Sequence, residues 1–488
     1  MSGLGSSRLL ASGGNLSLSR DPESGRVDGA TAGLVTDSYS YSGYGELTTH
    51  TASLSGPTLL SWSYNRDDLG RITRVTESNG TTVYARDFEY DPAGRLISVT
   101  EDGELVEAYS YDANGNRLST LNSAGVFQAT YDAQDRIQSF GDVEYTFTPN
   151  GNLALRRDTT NNAVTTYDYD ALGNLRTVGL SNGDVLEYLV DAQGRRVGKA
   201  RNGVLEQGWL WRGQLQPIAQ LDGNGNVVAR FVYAGESNVP ELVVTAGATY
   251  RLVKDHLGSV RMVVDTATGE LVQELQYDAW GRVLVDTNQG FQPFGFAGGL
   301  YDAETGLVRF GARDYDAEIG RWTAKDPVWF EGGENLYLYA DGDPANNADS
   351  TGDFAIAVGG GILAGAGAGA TLGALALPVG AGVAAALGVG LAVYNGYKLY
   401  KELTPETITS TSCPLPISHS SPYDTTMPIP IPKESGLYEK CEPRDANGIP
   451  DSRGDGWKTC IYDCPVSKTV VFRPVQYTKC TPFLRRLK

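Results

Sequence analysis

The residues most able to do chemistry in this chain are its cysteines, and all five fall in the last 76 of 488 residues. Cys441, Cys460, Cys464 and Cys480 form one group and Cys413 stands apart. Four thiolates in so short a stretch can close two disulfides or hold one zinc ion. Cys460 and Cys464 are spaced for zinc, but Cys441 and Cys480 make no second close pair, so two disulfides are favoured over a metal. A disulfide-bearing end implies exposure to an oxidising compartment. Histidine offers little: His50 and His256 are isolated, and His419 lies far from the cysteine group, so a zinc deaminase or His-metal nuclease lacks its ligands. The Asp222–Asn226 run resembles half a calcium loop without its closing acid, and Gly298-Gly299 and Gly332-Gly333 are turn glycines without a phosphate-loop setting. Asp445, Asp451, Asp455, Arg444, Arg453 and Arg473 show no catalytic spacing. No metal site and no cofactor are expected.

The elements that would position any such chemistry are repeats. Tyr90-Asp91-Pro92-Ala93-Gly94-Arg95-Leu96 recurs, with variations, from Tyr111, Tyr131, Tyr169 and Val190, the starts stepping by 21, 20, 38 and 21 residues. A period near twenty marks a repeated supersecondary unit. Asp binds backbone amides in the turn, Gly accepts positive φ, and the Tyr before faces the Leu or Ile after across a hairpin. One hairpin cannot bury its own face, so neighbours must stack into a continuous sheet. Before residue 64 the pattern is weak.

Charge divides the chain. The net charge is −18: residues 1–353 carry −21, residues 354–397 carry none, and residues 398–488 carry +3. The acidic first part argues against a nucleic-acid partner. The uncharged run is rich in Ala, Gly, Val and Leu and is split by Pro378 into Phe354–Leu377 and Val379–Tyr394, long enough for a membrane-crossing helix or helical hairpin. Tyr397-Lys398-Leu399-Tyr400-Lys401 then reads as an interfacial anchor, and Thr404–Pro432 as a Ser/Thr/Pro linker. Met1–Ser6 shows no apolar run of a conventional secretory signal.

The repeats resemble YD repeats, and residues 251–353 resemble the RHS repeat-associated core domain. The motifs are Asp255-His256-Leu257-Gly258-Ser259, Tyr277-Asp278-Ala279-Trp280-Gly281, Tyr301 to Leu307, Arg313 to Trp322, Asp326-Pro327, and Asn335 to Tyr339. The resemblance implies a mainly β fold of YD-repeat hairpins wound into a spiral sheet or shell around a variable C-terminal polypeptide, commonly a toxin. Here that polypeptide would be the apolar, helical segment and a small Cys-rich domain. It further implies that the core domain acts on itself as an aspartic protease, with Asp326 and Asp349 as the acid pair, Arg313 holding a carboxylate or the scissile carbonyl, and cleavage near Asp353, with Asp353 and Phe354 as the site residues. Asp314 is a weaker candidate. The segment Asp349-Ser350-Thr351-Gly352-Asp353 departs from the family's Asp-Pro-x-Gly-Leu, and Trp329 stands where Gly usually follows Asp-Pro.

The expected organisation is a weakly repetitive β region (1–63), YD repeats (64–250), the core domain (251–353), the apolar segment (354–403), the linker (404–435) and the Cys-rich domain (436–488). The expected function is a shell that releases an effector, with a target-cell membrane and an immunity protein or secretion-system component as partners, secreted or at the cell surface. The alternatives are an uncleaved surface binding protein with a disulfide-rich recognition tail, and a remnant whose shell is too short to close.

Overall fold

The computed structural model describes residues 7–11, 14–235 and 237–358, and five strands nearer the C-terminus. Contacts divide the chain into two units, residues 1–406 and 407–488.

The first unit is built on one 27-stranded sheet running from β1 (Ser7–Ala11) to β27 (Val283–Asp286). Successive strands pair antiparallel with one another, as in Tyr64–Val75, Phe88–Val99, Tyr145–Arg156 and Tyr188–Lys199. The repeat chemistry is visible at Asp91. Its Oδ1 accepts the amides of Ala93 (2.9 Å) and Arg95 (2.9 Å), and Gly94 takes φ 88°. Tyr90 and Leu96 are cross-strand partners, as the repeat predicts. Each repeat also grips the next. Arg95 bonds Asp91 through Nε (2.7 Å), lies 4.7 Å over the ring of Tyr111, and Tyr111 donates its hydroxyl to the Leu96 carbonyl (2.6 Å). Arg71 and Tyr90 repeat the stacking at 4.7 Å. Residues 7–66, where the signature is weak, form six strands of the same sheet.

Late strands meet early ones. The amide of Leu34 donates to the Thr266 carbonyl (2.8 Å), Arg251 pairs with Asp37 (2.9 Å), and Arg261 pairs with Glu77 (2.8 Å). Apolar side chains from both stretches, including Val35, Trp62, Leu242, Val253 and Val264, share one core.

After the sheet, the chain forms a small antiparallel sheet of β28 (Leu300–Asp302), β29 (Leu307–Phe310), β30 (Arg313–Asp316) and β31 (Arg321–Trp322). This segment crosses the turns of several repeats. Asn346 Oδ1 accepts from the Ile72 amide (2.7 Å), Arg321 Nη1 donates to Asn116 Oδ1 (2.9 Å), Tyr337 donates its hydroxyl to the Gly151 carbonyl (2.7 Å), and Arg309 Nη2 donates to the Gly194 carbonyl (3.1 Å). Around Phe310, Tyr315, Trp322 and Tyr339 the aromatic rings pack on one another, and all four are buried.

One expectation about the C-terminal part is corrected. The apolar segment does not begin as helix: β32 (Asn347–Ala348) pairs with β33 (Ile356–Ala357), so one hairpin spans the expected boundary at Asp353. The pairing is made by backbone groups, which the hydropathy of the run does not report. The rest of that run and the linker lie outside the described residues. Among the described residues no helix is long and apolar enough to cross a membrane. In the second unit β34 (Tyr438–Pro443), β35 (Ile449–Pro450), β36 (Lys458–Cys464), β37 (Thr469–Val475) and β38 (Phe483–Arg486) form a five-stranded antiparallel sheet. There Cys441, Cys460 and Cys464 stand opposite Phe483, Arg473 and Thr469. Cys480 and the disulfide pairing lie outside the described residues.

Candidate active site

Arg313 sits on β30, between the turn that carries Asp326 and the hairpin that carries Asp349. Its Nη2 lies 2.7 Å from Asp326 Oδ2 and 3.3 Å from Asp349 Oδ2, with all three side chains buried. The guanidinium stacks 4.2 Å over Trp322, which fixes its plane. Its Nε donates to the Gly352 carbonyl and its Nη1 to the Leu336 carbonyl (3.3 Å). One cation thus ties both aspartates to the chain just before Asp353.

The two aspartates have different environments. Asp349 Oδ1 accepts four hydrogen bonds, from the Thr351 hydroxyl (3.0 Å) and the amides of Gly352 (2.8 Å), Asp353 (3.1 Å) and Phe354 (3.2 Å). The carboxylate therefore closes the turn that presents residues 350–354. Asp326 Oδ1 accepts only the Val328 amide (2.9 Å) besides the Arg313 contact of its other oxygen. Burial raises the Asp326 pKa above the ordinary carboxylate value, and the charge of Asp349 adds to that, against the pull of Arg313. Asp353 is raised in the same direction, by burial and then by Asp349.

The peptide between Asp353 and Phe354 lies between these groups. Its N–H is one of the four donors to Asp349. Its carbonyl oxygen and Asp326 Oδ2 both face Gly332, where an added Cβ would stand 3.0 Å from the first and 2.7 Å from the second. Backbone also clamps the chain just before Asp353, since the Ala312 amide donates to the Thr351 carbonyl (2.8 Å) and Gly352 packs against Phe310 and Arg313.

Asp326, Asp349, Arg313, Asp353 and Phe354 are therefore brought together. Asp314 is not among them. It is held by Arg196 (2.8 Å) and Arg309 (2.9 Å) and ties β30 to the repeats. Sequence reasoning missed Gly332, whose bare α-carbon leaves room for Asp326 and the Asp353 carbonyl, and the Asp353 side chain as a third acid near Arg313. The second had a signal: an acid stands where the family carries Leu.

A coiled sheet of Tyr-Asp hairpins crossed by an aromatic, arginine-rich segment defines a YD-repeat shell protein. Residues 7–340 match the Teneurin YD-shell family, and the chain belongs to it. It is similar to teneurin-3 of Danio rerio, 30% identical over 305 residues, covering 59% of this chain and 11% of that protein. It is also similar to double-stranded DNA deaminase toxin A of Burkholderia cenocepacia (strain H111), 29% identical over 315 residues, covering 57% of this chain and 21% of that protein. Among solved structures, the TcdB2-TccC3-Cdc42 crystal structure overlaps 70% of this chain and 22% of its own, with TM-score 0.40 and 18% identity. The chain thus spans about a tenth of the teneurin and about a fifth of the toxin.

Proposed function

We propose that this chain is a shell for a C-terminal effector and frees it by hydrolysing its own Asp353–Phe354 bond. The observation that carries the reading is that one carboxylate accepts the N–H of that bond while the other carboxylate and the carbonyl oxygen of that bond both face Gly332, with Arg313 bridging the two acids. Asp326, its pKa raised by burial, gives a proton to the carbonyl oxygen. Water adds to the carbonyl carbon and loses a proton to Asp349, which passes it to the Phe354 nitrogen as the C–N bond breaks. The proton on the tetrahedral oxygen returns to Asp326, leaving a carboxyl on Asp353 and an amine on Phe354. Arg313 holds the Gly352 carbonyl and the two acids in register.

The relative named as a toxin supports the effector reading, and a secreted or cell-surface location with an immunity protein or secretion-system component as partner follows from it. The uncharged run 354–397 makes the freed piece a candidate for membrane attachment. Intact-mass measurement of purified full chain tests cleavage. Two species, ending at Asp353 and beginning at Phe354, are expected, with Asp326→Asn leaving one uncut chain. A single full-length mass in the unsubstituted protein after long incubation, from neutral to mildly acidic pH, overturns the reading and leaves an uncleaved binding protein.

A further inference from the structure

Asp314 is shared by two buried arginines. Its Oδ1 accepts from Arg196 Nη2 (2.8 Å) and its Oδ2 from Arg309 Nη1 (2.9 Å). The neighbouring cations have acids of their own: Lys199 binds Asp302 (2.9 Å) and Glu304 (2.6 Å), and Arg195 binds Asp191 (2.6 Å). Arg196 and Arg309 therefore divide one negative charge, and one positive charge is left over inside the protein. Their hydrogen bonding is incomplete as well. Arg309 Nη2 donates to Asn174 Oδ1 (3.3 Å) and to the Gly194 carbonyl (3.1 Å), but the Nε of Arg309 and the Nε of Arg196 are both buried with no acceptor. A buried donor on a cation is costly to leave unmatched.

Both arginines border one small cavity, of about 20 Å³. Arg195 borders it too, and no acidic residue does. Trp211, Leu215, Phe294 and Phe310 give it apolar walls. Ser350, next to Asp349, completes the set with a hydroxyl that has no hydrogen-bond partner among the described residues. A single water needs about 10–15 Å³, so the space takes one particle of that size and excludes phosphate or sulfate. Water could accept an N–H but would leave the charge unmatched. A monatomic anion meets both needs, and a weakly hydrated one suits apolar walls best. Arg309 is the cation to be matched: burial, and then the charge of Arg196, lower its pKa against the pull of Asp314. Arg196 moves the other way, since Asp314, Tyr188 and Asp302 outweigh the effect of burial.

We propose that this cavity binds a halide ion, chloride in ordinary solution, between Arg196 and Arg309. The ion neutralises the surplus charge and joins the repeats, which carry Arg196 and Trp211, to the strand of Arg309 and the turn of Ser350. The site is independent of the cleavage reading, because it uses neither Asp326 nor the Asp353–Phe354 bond.

The test is bromide anomalous diffraction on crystals of the full chain, with melting curves in chloride, bromide, sulfate and gluconate at matched ionic strength. A bromide peak is expected in contact with both guanidinium groups. Chloride and bromide should raise the melting temperature saturably, by about 2–5 °C at a hundredfold excess over Kd, and sulfate and gluconate should not. Arg309→Met removes the surplus charge and should abolish both effects. Arg136→Met, the same change at a paired arginine that does not border the cavity, should keep both. If Arg309→Met does not fold, the bromide map of the unsubstituted protein still decides. Water alone at the position, melting that ignores halide or follows sulfate equally, or a bromide peak that persists in Arg309→Met overturns the proposal.

Discussion

Glu77 and Arg261 stand 184 residues apart in the chain and meet in a two-pronged ion pair, with Arg261 Nη2 on Oε1 at 2.8 Å and Nη1 on Oε2 at 3.0 Å. Glu77 also accepts from the Trp62 indole (2.7 Å), and both partners are buried. Removing one partner leaves an uncompensated charge inside. Arg261→Met should therefore lower unfolding free energy by about 3–5 kcal/mol, read by urea denaturation. The double variant Arg261→Met/Glu77→Gln should recover much of that loss. Equal losses in both would mean that the pairing contributes nothing beyond packing.

Glu107 makes stability depend on pH. Burial, then the nearby charge of Asp278, raises its pKa from 4.5 to about 7, with the Tyr109 hydroxyl, the Ala279 amide and Arg86 opposing. Because the folded value exceeds the unfolded one, its contribution is full below about pH 4.5 and is lost as pH rises to about 7. Glu107→Gln should keep the neutral shape and remove that loss. Melting curves at pH 5 and pH 8 should show the variant gaining on the unsubstituted protein only at pH 8. A gain of equal size at both values would contradict the assignment.

The hairpins were legible because their chemistry is local: an Asp, a Gly and flanking apolar residues fix each turn without help from distant chain. The signal failed where another side chain performs the same task. At Ser42 the hydroxyl accepts the amides of Tyr44 (3.3 Å) and Glu46 (3.3 Å), and at Thr148 it accepts the Asn152 amide (3.1 Å), so Phe147–Leu153 is the repeat hidden in the 38-residue step. The acid pair was legible only through resemblance, since nothing in the spacing of Asp326 and Asp349 shows that β30 brings Arg313 between them.

Trp329 carries φ 57°, in the left-handed region, and is 60% exposed. A bulky side chain there costs about 1–2 kcal/mol of backbone strain, which a glycine would avoid. Trp329→Gly should relieve that strain and lose little burial, raising stability by about 0.5–1 kcal/mol after the greater freedom of the unfolded glycine is subtracted. Thermal unfolding measures it, and a fall in melting temperature would show that the indole makes contacts that outweigh the strain.

Gly332 separates positioning from folding at the proposed cleavage site. Its backbone, φ −87° and ψ −2°, is open to any residue, so Gly332→Ala imposes no backbone strain. The added methyl would stand 2.7 Å from Asp326 Oδ2 and 3.0 Å from the Asp353 carbonyl oxygen, and must push one or both aside. A displacement near 1 Å costs about a hundredfold in a positioned reaction, so the rate at which full-length chain disappears in timed electrophoresis should fall by roughly 10–100-fold. Gly247→Ala is the control, because its Cβ meets nothing within 4 Å and its φ is not in the positive range. The two variants should melt close together while only Gly332→Ala resists cleavage. If Gly332→Ala is cut as fast as the control, Asp326 does not act on the Asp353 carbonyl, and the bond that breaks lies elsewhere in the hairpin.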